Sequence, residues 1–196
     1  ATTETYIGLV EAGVGLIPGG GGTKELYMKA LKGLPKGVSV DIQQVANKVF
    51  ETVAMAKVST SAAEARETNF LNFADGISVN PDHQLYDAKQ VVLSLYEQGY
   101  TPPVREKVPV VGESGYATLL LGAEAMRLSG YLSEHDMVIA KELAYVLSGG
   151  KLPFGTEVDE QYLLNLEREA FLRLISMPKS QQRMQHMLIK GKPLRN

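Results

Sequence analysis

The stretch Val10–Thr23, VEAGVGLIPGGGGT, combines a carboxylate, a proline and four consecutive glycines. Four successive glycines lose more backbone entropy on folding than a packed core requires, so we expect a positive φ or a close approach to another group. Thr23 is predicted to be the N-cap of a helix, which would leave free N–H groups beside Glu11. The stretch therefore predicts a chemically active loop, with Glu11 as its candidate acid or base.

The glycine run fits the two common nucleotide-binding motifs poorly. A P-loop requires Lys followed by Ser or Thr, whereas Thr23-Lys24 has the reverse order. A dinucleotide-binding fingerprint would need its third glycine near Pro18 and a preceding βαβ context, and both are missing from the sequence. A flexible surface loop is the alternative without chemistry, since exposed glycine tracts occur in linkers.

Length and composition indicate a globular protein with one core, since the chain has 196 residues of which 44% are apolar and 21% are charged. The net charge of −2 argues against a nucleic-acid partner or a membrane-surface partner. The sequence has no cysteine, which excludes disulfides and thiolate metal sites. No apolar run is long enough to span a bilayer, and we expect a cytoplasmic protein.

Apolar residues recur mostly with helical spacing, so we predict a mainly helical chain with at most one or two short strands near the N-terminus, at Thr5–Val10. Helices are predicted to follow the caps Thr23, Asp41, Ser61 (in a capping box with Glu64) and Asn80, and to span 114–128, 133–147, 159–175 and 180–190. The predicted buried stripes are Tyr27, Ala30, Leu31 and Leu34; Ile42, Val45, Ala46, Val49 and Val53; and Leu85, Ala88, Val92 and Leu95. The prolines of 101–109 predict an extended connector.

The remaining charged and polar residues do not assemble a site by spacing. No pair of histidines has metal-ligand spacing, so no metal site is predicted, and His83, His135 and His186 are expected at the surface or at helix caps. Glu167, Arg168 and Glu169 with Arg173 are predicted to form a solvated helix face. Lys190, Lys192 and Arg195 are predicted to lie in a solvated tail, with contact to CoA phosphates as an alternative.

The spacing of Glu11, Gly15, Pro18 and Gly19 resembles the second active-site stretch of the crotonase family, the enoyl-CoA hydratases and isomerases. In that family the glutamate acts on a water molecule or on the substrate carbon, and the N–H of the glycine after the proline helps to hold the water. The resemblance implies catalytic roles for Glu11 and Gly19, and substrate contacts for Pro18 and Gly20.

Two further segments extend the resemblance. Ser61–Ala65 is similar to a helix that follows the active-site region of the family, and Gly191–Asn196 is similar to the tail of a bacterial subgroup. Members of that subgroup are 3-hydroxyacyl-CoA dehydrogenases of fatty-acid β-oxidation with a hydratase domain at their C-terminal end. The implied fold is the helical C-terminal portion of a crotonase-type α/β domain, with residues 1–35 as the active-site stretch and 36–196 as the helical part.

The resemblance also implies an activity, the hydration of trans-2-enoyl-CoA to 3-hydroxyacyl-CoA, with acyl-CoA as the substrate. Hydration needs a second carboxylate and an oxyanion hole, which the family places upstream, so the isolated chain is expected to be inactive. NAD is expected in an upstream domain of the longer enzyme and no cofactor in this chain. A homo-oligomer, or association with the missing N-terminal half, is expected.

Two alternatives to the hydratase remain open in the sequence. One is a helical interaction or oligomerisation module without catalysis, in which the glycines belong to a linker. The other is an acyl-CoA isomerase or hydrolase of the same family, because one fold and one acid can serve several reactions.

Overall fold

The computed structural model describes residues 1–32 and 40–196, and this part of the chain is mainly helical, as predicted. The helices are α1 (Gly22–Leu31), α2 (Ile42–Ala54), α3 (Ala62–Glu67), α4 (Gln84–Glu97), α5 (Gly112–Leu128), α6 (Glu134–Leu147), α7 (Glu160–Ile175) and α8 (Pro178–Lys190), with 3-10 turns at Glu11–Val14 and Pro81–His83. The strands are β1 (Glu4–Gly8), β2 (Val58–Ser61), β3 (Val108–Pro109) and β4 (Glu157–Val158).

The chain divides into two compact units, and the smaller one consists of residues 1–8 and 58–105. In this unit β1 pairs antiparallel with β2, with Ile7 opposite Ser59 and Gly8 opposite Val58. The predicted strand at Thr5–Val10 corresponds to β1. Its partner β2 was not predicted, because four residues with three hydroxyl side chains give no clear alternation.

The larger unit consists of residues 9–57 and 106–196. Its central helix is α6, which contacts α1, α2, α5 and α7. The buried apolar side chains of α6 include Ile139, Leu143 and Leu147. The short strands β3 and β4 pair antiparallel beside this helical core. The hydroxyl of Tyr27 in α1 donates to the carbonyl of Pro109 at 2.9 Å, which ties α1 to β3.

Three helices of the larger unit begin close to their predicted starts, each at a residue whose side chain caps the helix. Asp41 accepts the N–H groups of Gln43 and Gln44 at the start of α2. Ser133 forms a capping box with Asp136 before α6, and Asp159 accepts from the N–H of Tyr162 before α7. These capping bonds are local in sequence, so the capping residues themselves favour helix starts at these positions.

The predicted N-cap of α1 is wrong. The cap residue is Gly21, which has φ of 93° in the left-handed region that glycine adopts readily. Thr23 is the second residue of the helix and is fully buried. Its hydroxyl has no hydrogen-bond partner among the described residues.

Two predictions for the smaller unit also differ from the structure. Ser61 caps α3 by accepting from the N–H of Glu64, but the Glu64 carboxylate bonds to Thr60, so the capping box is incomplete. The predicted inner face of α4 is exposed, because no residue of this helix is buried. The periodicity is present, but the described residues provide no surface that covers it.

Two predictions fall outside the described residues. One of these predictions concerns Leu34, which was expected to complete the buried stripe of α1. The other is the boundary predicted between residues 35 and 36. The division into an active-site stretch and a helical part therefore stays a prediction.

Candidate functional site

The predicted catalytic residues lie in the segment that leads into α1. Glu11 begins the first 3-10 turn, Pro18 is buried, and Gly19 and Gly20 are exposed immediately before the helix. The Oε2 atom of Glu11 is buried and has no hydrogen-bond partner in the part of the chain that the structure describes. Because a buried acceptor without a partner is destabilising, this oxygen is a candidate to accept from a water molecule or a ligand.

Close packing accounts for part of the glycine run. A Cβ at Gly19 would lie 2.6 Å from the ring of Phe171 in α7, and a Cβ at Gly22 would lie 2.5 Å from the side chain of Leu9. Gly20, in contrast, faces open space. The segment therefore needs glycine at 19 and 22 for close approach, independently of any chemistry at Glu11.

The carboxylate of Glu167, a residue of α7, accepts hydrogen bonds from backbone N–H groups at the start of α1. Its Oε1 accepts from the N–H of Gly21 at 2.9 Å, and its Oε2 accepts from the N–H of Lys24 at 3.2 Å. The prediction of free N–H groups beside Glu11 is therefore wrong at these two positions. The prediction that Glu167 lies on a solvated face is also wrong, since only 1% of it is exposed.

Several groups determine the pKa of Glu167. Burial raises it most, and the N–H groups and charge of the Gly21–Lys24 segment lower it in part. Repulsion from Glu11 raises it further, so Glu167 has a pKa above the ordinary value of a glutamate. The structure thus brings two carboxylates to the start of α1, where the sequence predicts one.

Lys24 places a buried cation in the same region. Only 4% of its side chain is exposed, and its Nζ forms ion pairs with Glu25 and with Glu160 of α7. Burial acts to lower the pKa of Lys24, but the hydrogen bonds and charges of these carboxylates outweigh it and raise the pKa. Its charge is therefore neutralised by protein groups.

The start of α1 does not fit a nucleotide phosphate. The N–H groups of Gly21 and Lys24 already bind a carboxylate, so a phosphate would have to displace Glu167 and its negative charge. Gly15 does not provide an alternative phosphate-binding turn, because Ser180 packs against it. The carbonyl of Gly15 accepts from the Ser180 hydroxyl at 2.6 Å, and an added Cβ would lie 2.9 Å from the Ser180 backbone. The sheets of the described ranges are antiparallel pairs, whereas a dinucleotide site requires a parallel βαβ unit.

An apolar groove of about 240 Å³ lies between α2, α5 and α6 of the larger unit. The large apolar side chains that line it are Phe50, Met55, Leu119, Met126, Leu132, Ile139 and Leu143. Gly122 of α5 also lines the groove, and a Cβ at this position would meet no atom within 4 Å. Ala12, the residue after Glu11, belongs to the lining as well. The groove is a ready site for an apolar group, and sequence periodicity alone could not reveal it.

Three charged residues line the groove, and each forms an ion pair: Glu51 with Lys57, and Asp136 with Arg195. Asp136 and Arg195 both belong to the lining, and Arg195 Nη1 lies 2.9 Å from Asp136 Oδ1. The fully buried Arg183 of α8 donates to the same oxygen at 2.7 Å. Burial raises the pKa of Asp136, but the bonds and charges of Arg183, Ser133 and Arg195 outweigh it and lower the pKa. Arg195 therefore lies on a groove and is held by an ion pair, which the solvated-tail prediction did not include.

His135 is buried, contrary to its predicted surface or capping role, with 3% exposed. Its Nε2 lies 2.9 Å from the hydroxyl of Ser180, and that hydroxyl donates to the carbonyl of Gly15. Because the hydroxyl proton is used in that bond, Nε2 of His135 must be the donor to Ser180. Burial lowers the pKa of His135, as do the charges of Arg183 and Lys179. The histidine joins α6 to α8 and to the loop before α1.

Residues 1–32 and 40–196 provide neither a cluster of metal-binding side chains nor a helix suited to crossing a membrane. No group of three or more His, Cys, Asp or Glu side chains in these ranges could hold a metal ion. None of the helices found there combines the length and the apolar character that a membrane span requires.

Comparison with known proteins gives one informative match. No protein-family model matches the chain, and no solved structure matches it. The chain is 67% identical, over all 196 residues, to a protein of Bacillus subtilis (strain 168) named "Probable 3-hydroxyacyl-CoA dehydrogenase". A close homologue of this chain is thus a probable 3-hydroxyacyl-CoA dehydrogenase. The chain spans 24% of that relative, about a quarter of its length.

This match corrects the predicted function. The relative is named for the oxidation of a 3-hydroxyacyl-CoA, so it points to a dehydrogenase and contradicts the prediction of an enoyl-CoA hydratase. The two alternatives, a non-catalytic module and an isomerase or hydrolase, are not supported by that name either. The resemblance to crotonases gains no support from the comparisons. The part of the resemblance that named 3-hydroxyacyl-CoA dehydrogenases of fatty-acid metabolism agrees with the relative.

Proposed function

We propose that this chain is a segment of a 3-hydroxyacyl-CoA dehydrogenase, and that its apolar groove binds the acyl chain of the substrate. The observation that carries the proposal is the 67% identity over the full chain to a relative with that name. At this level of identity the folded core and its cavities are expected to be shared, so the segment takes part in the same enzyme.

The groove has the chemistry of an acyl-chain site. Its large apolar lining residues are aliphatic side chains, methionines and one phenylalanine, and the charged residues of the lining, Glu51, Asp136 and Arg195, are held in ion pairs. An engineered apolar cavity of about 150 Å³ holds a benzene molecule, so a groove of about 240 Å³ has room for roughly ten carbon atoms. This estimate supports an acyl chain of medium length inside the groove.

Oxidation of the 3-hydroxyl group requires a hydride acceptor, for which we propose NAD. The start of α1 is occupied by Glu167, and a turn at Gly15 is filled by Ser180, so the residues described here do not fit its pyrophosphate. We therefore propose that the rest of the longer polypeptide binds NAD. The segment's own contribution is to hold the acyl chain, away from water, in a fixed place.

The roles of individual residues near Glu11 are also proposals. Ala12, which follows Glu11 in the sequence, lines the groove, whereas Glu11 itself is not among the lining residues. The catalytic roles of Glu11 and Gly19, and the substrate contacts of Pro18 and Gly20, stay predictions. So do a cytoplasmic location and the association of the chain with copies of itself or with the N-terminal half of the domain that the resemblance implies.

Substitution of Gly122 tests the groove in the full-length polypeptide. Gly122→Leu adds an isobutyl group to open space, so it should fill the groove without disturbing the fold. If it displaces two methylenes of the substrate, KM for long-chain 3-hydroxyacyl-CoA should rise about 15-fold, at about 0.8 kcal/mol per methylene. KM for 3-hydroxybutyryl-CoA should not change, because its short chain would not reach the filled part.

Two control variants separate groove filling from indirect effects. Gly122→Ala changes the helix propensity of α5 with little added volume, and Ala125→Leu adds an apolar side chain at an exposed position of the same helix outside the groove. Both should keep the KM of the unmodified enzyme. Equal effects of Gly122→Leu on long and short substrates would exclude the groove as the acyl site. Absence of NAD-dependent oxidation by the unmodified polypeptide would reject the dehydrogenase assignment itself.

A further inference from the structure

Helix α4 of the smaller unit carries an apolar surface with no cover in the described residues. Leu85, Ala88, Val92, Leu95 and Tyr96 recur three, four or seven positions apart, which places them on one face of the helix. We name this set the α4 stripe. Of its large side chains, 82% of Leu85, 64% of Val92 and 82% of Tyr96 are exposed.

Local interactions hold α4 at its start and outside the stripe. Asn80 caps the preceding 3-10 turn, and the hydroxyl of Ser78 donates to Asp87 Oδ2 at 2.7 Å. Asp87 lies two residues after Leu85 and so points to another side of the helix. A helix of 14 residues is marginal in water without packing of its apolar face, so these polar contacts alone do not explain its stability.

The stripe is too large and too continuous to be an ordinary surface. The stripe exposes several large apolar side chains next to one another, and extended apolar patches on soluble proteins mark interaction sites. Val79 and Tyr100, which flank α4 in the sequence, are exposed as well.

The stripe contains no charged residue, so its complement is an apolar protein surface. The relative has about three quarters of its length outside the part that matches this chain. A surface within the same polypeptide acts at high effective concentration, which favours it over a separate molecule. We propose that the α4 stripe is covered by an apolar face of the polypeptide that lies outside this segment. The inference rests on the proposal that this chain is a segment of the longer enzyme, but not on its activity or on the groove.

Footprinting of the full-length polypeptide by carbene or hydroxyl-radical labelling tests the cover. Labelling of Leu85, Val92 and Tyr96 is compared between the native and the denatured polypeptide, so that each residue is its own reference. Because the centre of a protein interface is almost fully desolvated, native labelling of the stripe should be about fivefold lower than denatured labelling. Native labelling equal to the denatured level would overturn the proposal.

Dilution distinguishes a cover within the polypeptide from a second copy. Protection by the same polypeptide should not change when the protein is diluted far below the concentration of self-association. If labelling of the stripe instead rises on dilution, a second copy provides the cover and the proposal is wrong. Loss of dehydrogenase activity would change neither result, so the failure of the proposed function would be recognised separately.

A pair of variants on α4 locates the cover. Val92→Asp places a charge in the stripe and should raise the labelling of Tyr96 about fivefold, because a buried unpaired charge opposes docking. Gln90→Asp places the same charge at an exposed polar position on the opposite side of α4, outside the stripe, and should leave the labelling of Tyr96 unchanged. Equal effects of the two variants would overturn the assignment of the stripe. If Val92→Asp prevents folding, footprinting of the unmodified polypeptide still decides the proposal.

Discussion

Glu167 satisfies two backbone N–H groups at the start of α1 from a position more than a hundred residues away in sequence. Glu167→Ala would leave both groups buried without a partner, at about 1–3 kcal/mol each. We therefore expect the variant to lose about 3 kcal/mol of unfolding free energy in urea titrations. The control Glu169→Ala, at an exposed position of the same helix, should change it by less than about 0.5 kcal/mol. Equal losses in the two variants would contradict the capping role.

The raised pKa of Glu167 predicts a pH dependence of stability. Burial makes the ionised form less favourable in the folded protein than in the unfolded one, so the folded pKa lies above the unfolded pKa. The contribution of this group is then fully present below the ordinary pKa range of glutamate and is lost as the pH rises through the folded value. Glu167→Gln removes this titration.

Urea unfolding of the unmodified protein and of Glu167→Gln over a range of pH checks the sign. The difference in unfolding free energy, unmodified minus variant, should fall as the pH rises from the ordinary glutamate range and should become constant above the raised pKa. A difference that rises with pH would show that the folded protein favours the ionised carboxylate, contrary to the direction of the pKa shift.

The segment before α1 and helix α7 pack against each other through Gly19 and Phe171. Gly19→Ala would place a methyl group 2.6 Å from the ring, so we expect a loss of about 1–3 kcal/mol of unfolding free energy from overpacking. Gly20→Ala adds the same methyl group to open space and should have little effect on stability. Phe171→Leu combined with Gly19→Ala should recover part of the loss. Equal stability of the two alanine variants would exclude this packing role.

The elements show which features the sequence could predict. Asp41, Ser133 and Asp159 each bond to N–H groups two or three residues away, so local sequence was enough to place the starts of α2, α6 and α7. Glu167 and His135 have their partners on distant elements, and an isolated motif gives no signal of such contacts. For this reason the helices were largely predicted, whereas the second carboxylate and the groove were not.

At the scale of the whole molecule, α4 shows that an apolar periodicity does not identify the surface that buries it. The spacing of the α4 stripe correctly predicts a helix with one apolar face, but the described residues do not bury that face. Since the chain corresponds to 24% of its relative, the surface that completes the helix need not belong to this sequence. Periodicity can therefore predict a buried face without identifying what buries it.

The isolated chain of 196 residues should consequently self-associate through the α4 stripe, because the proposed cover is absent from it. Light scattering should give a mean mass that rises with protein concentration. The double variant Leu85→Glu/Val92→Glu should shift the mass toward that of a monomer, since unpaired charges oppose burial of the stripe. Leu188→Glu, at a position of α8 that is 88% exposed, adds a charge outside the stripe and should leave association unchanged. A strictly monomeric chain at high concentration would show that an uncovered α4 stripe is stable in water, and the physical reason for a cover would be lost.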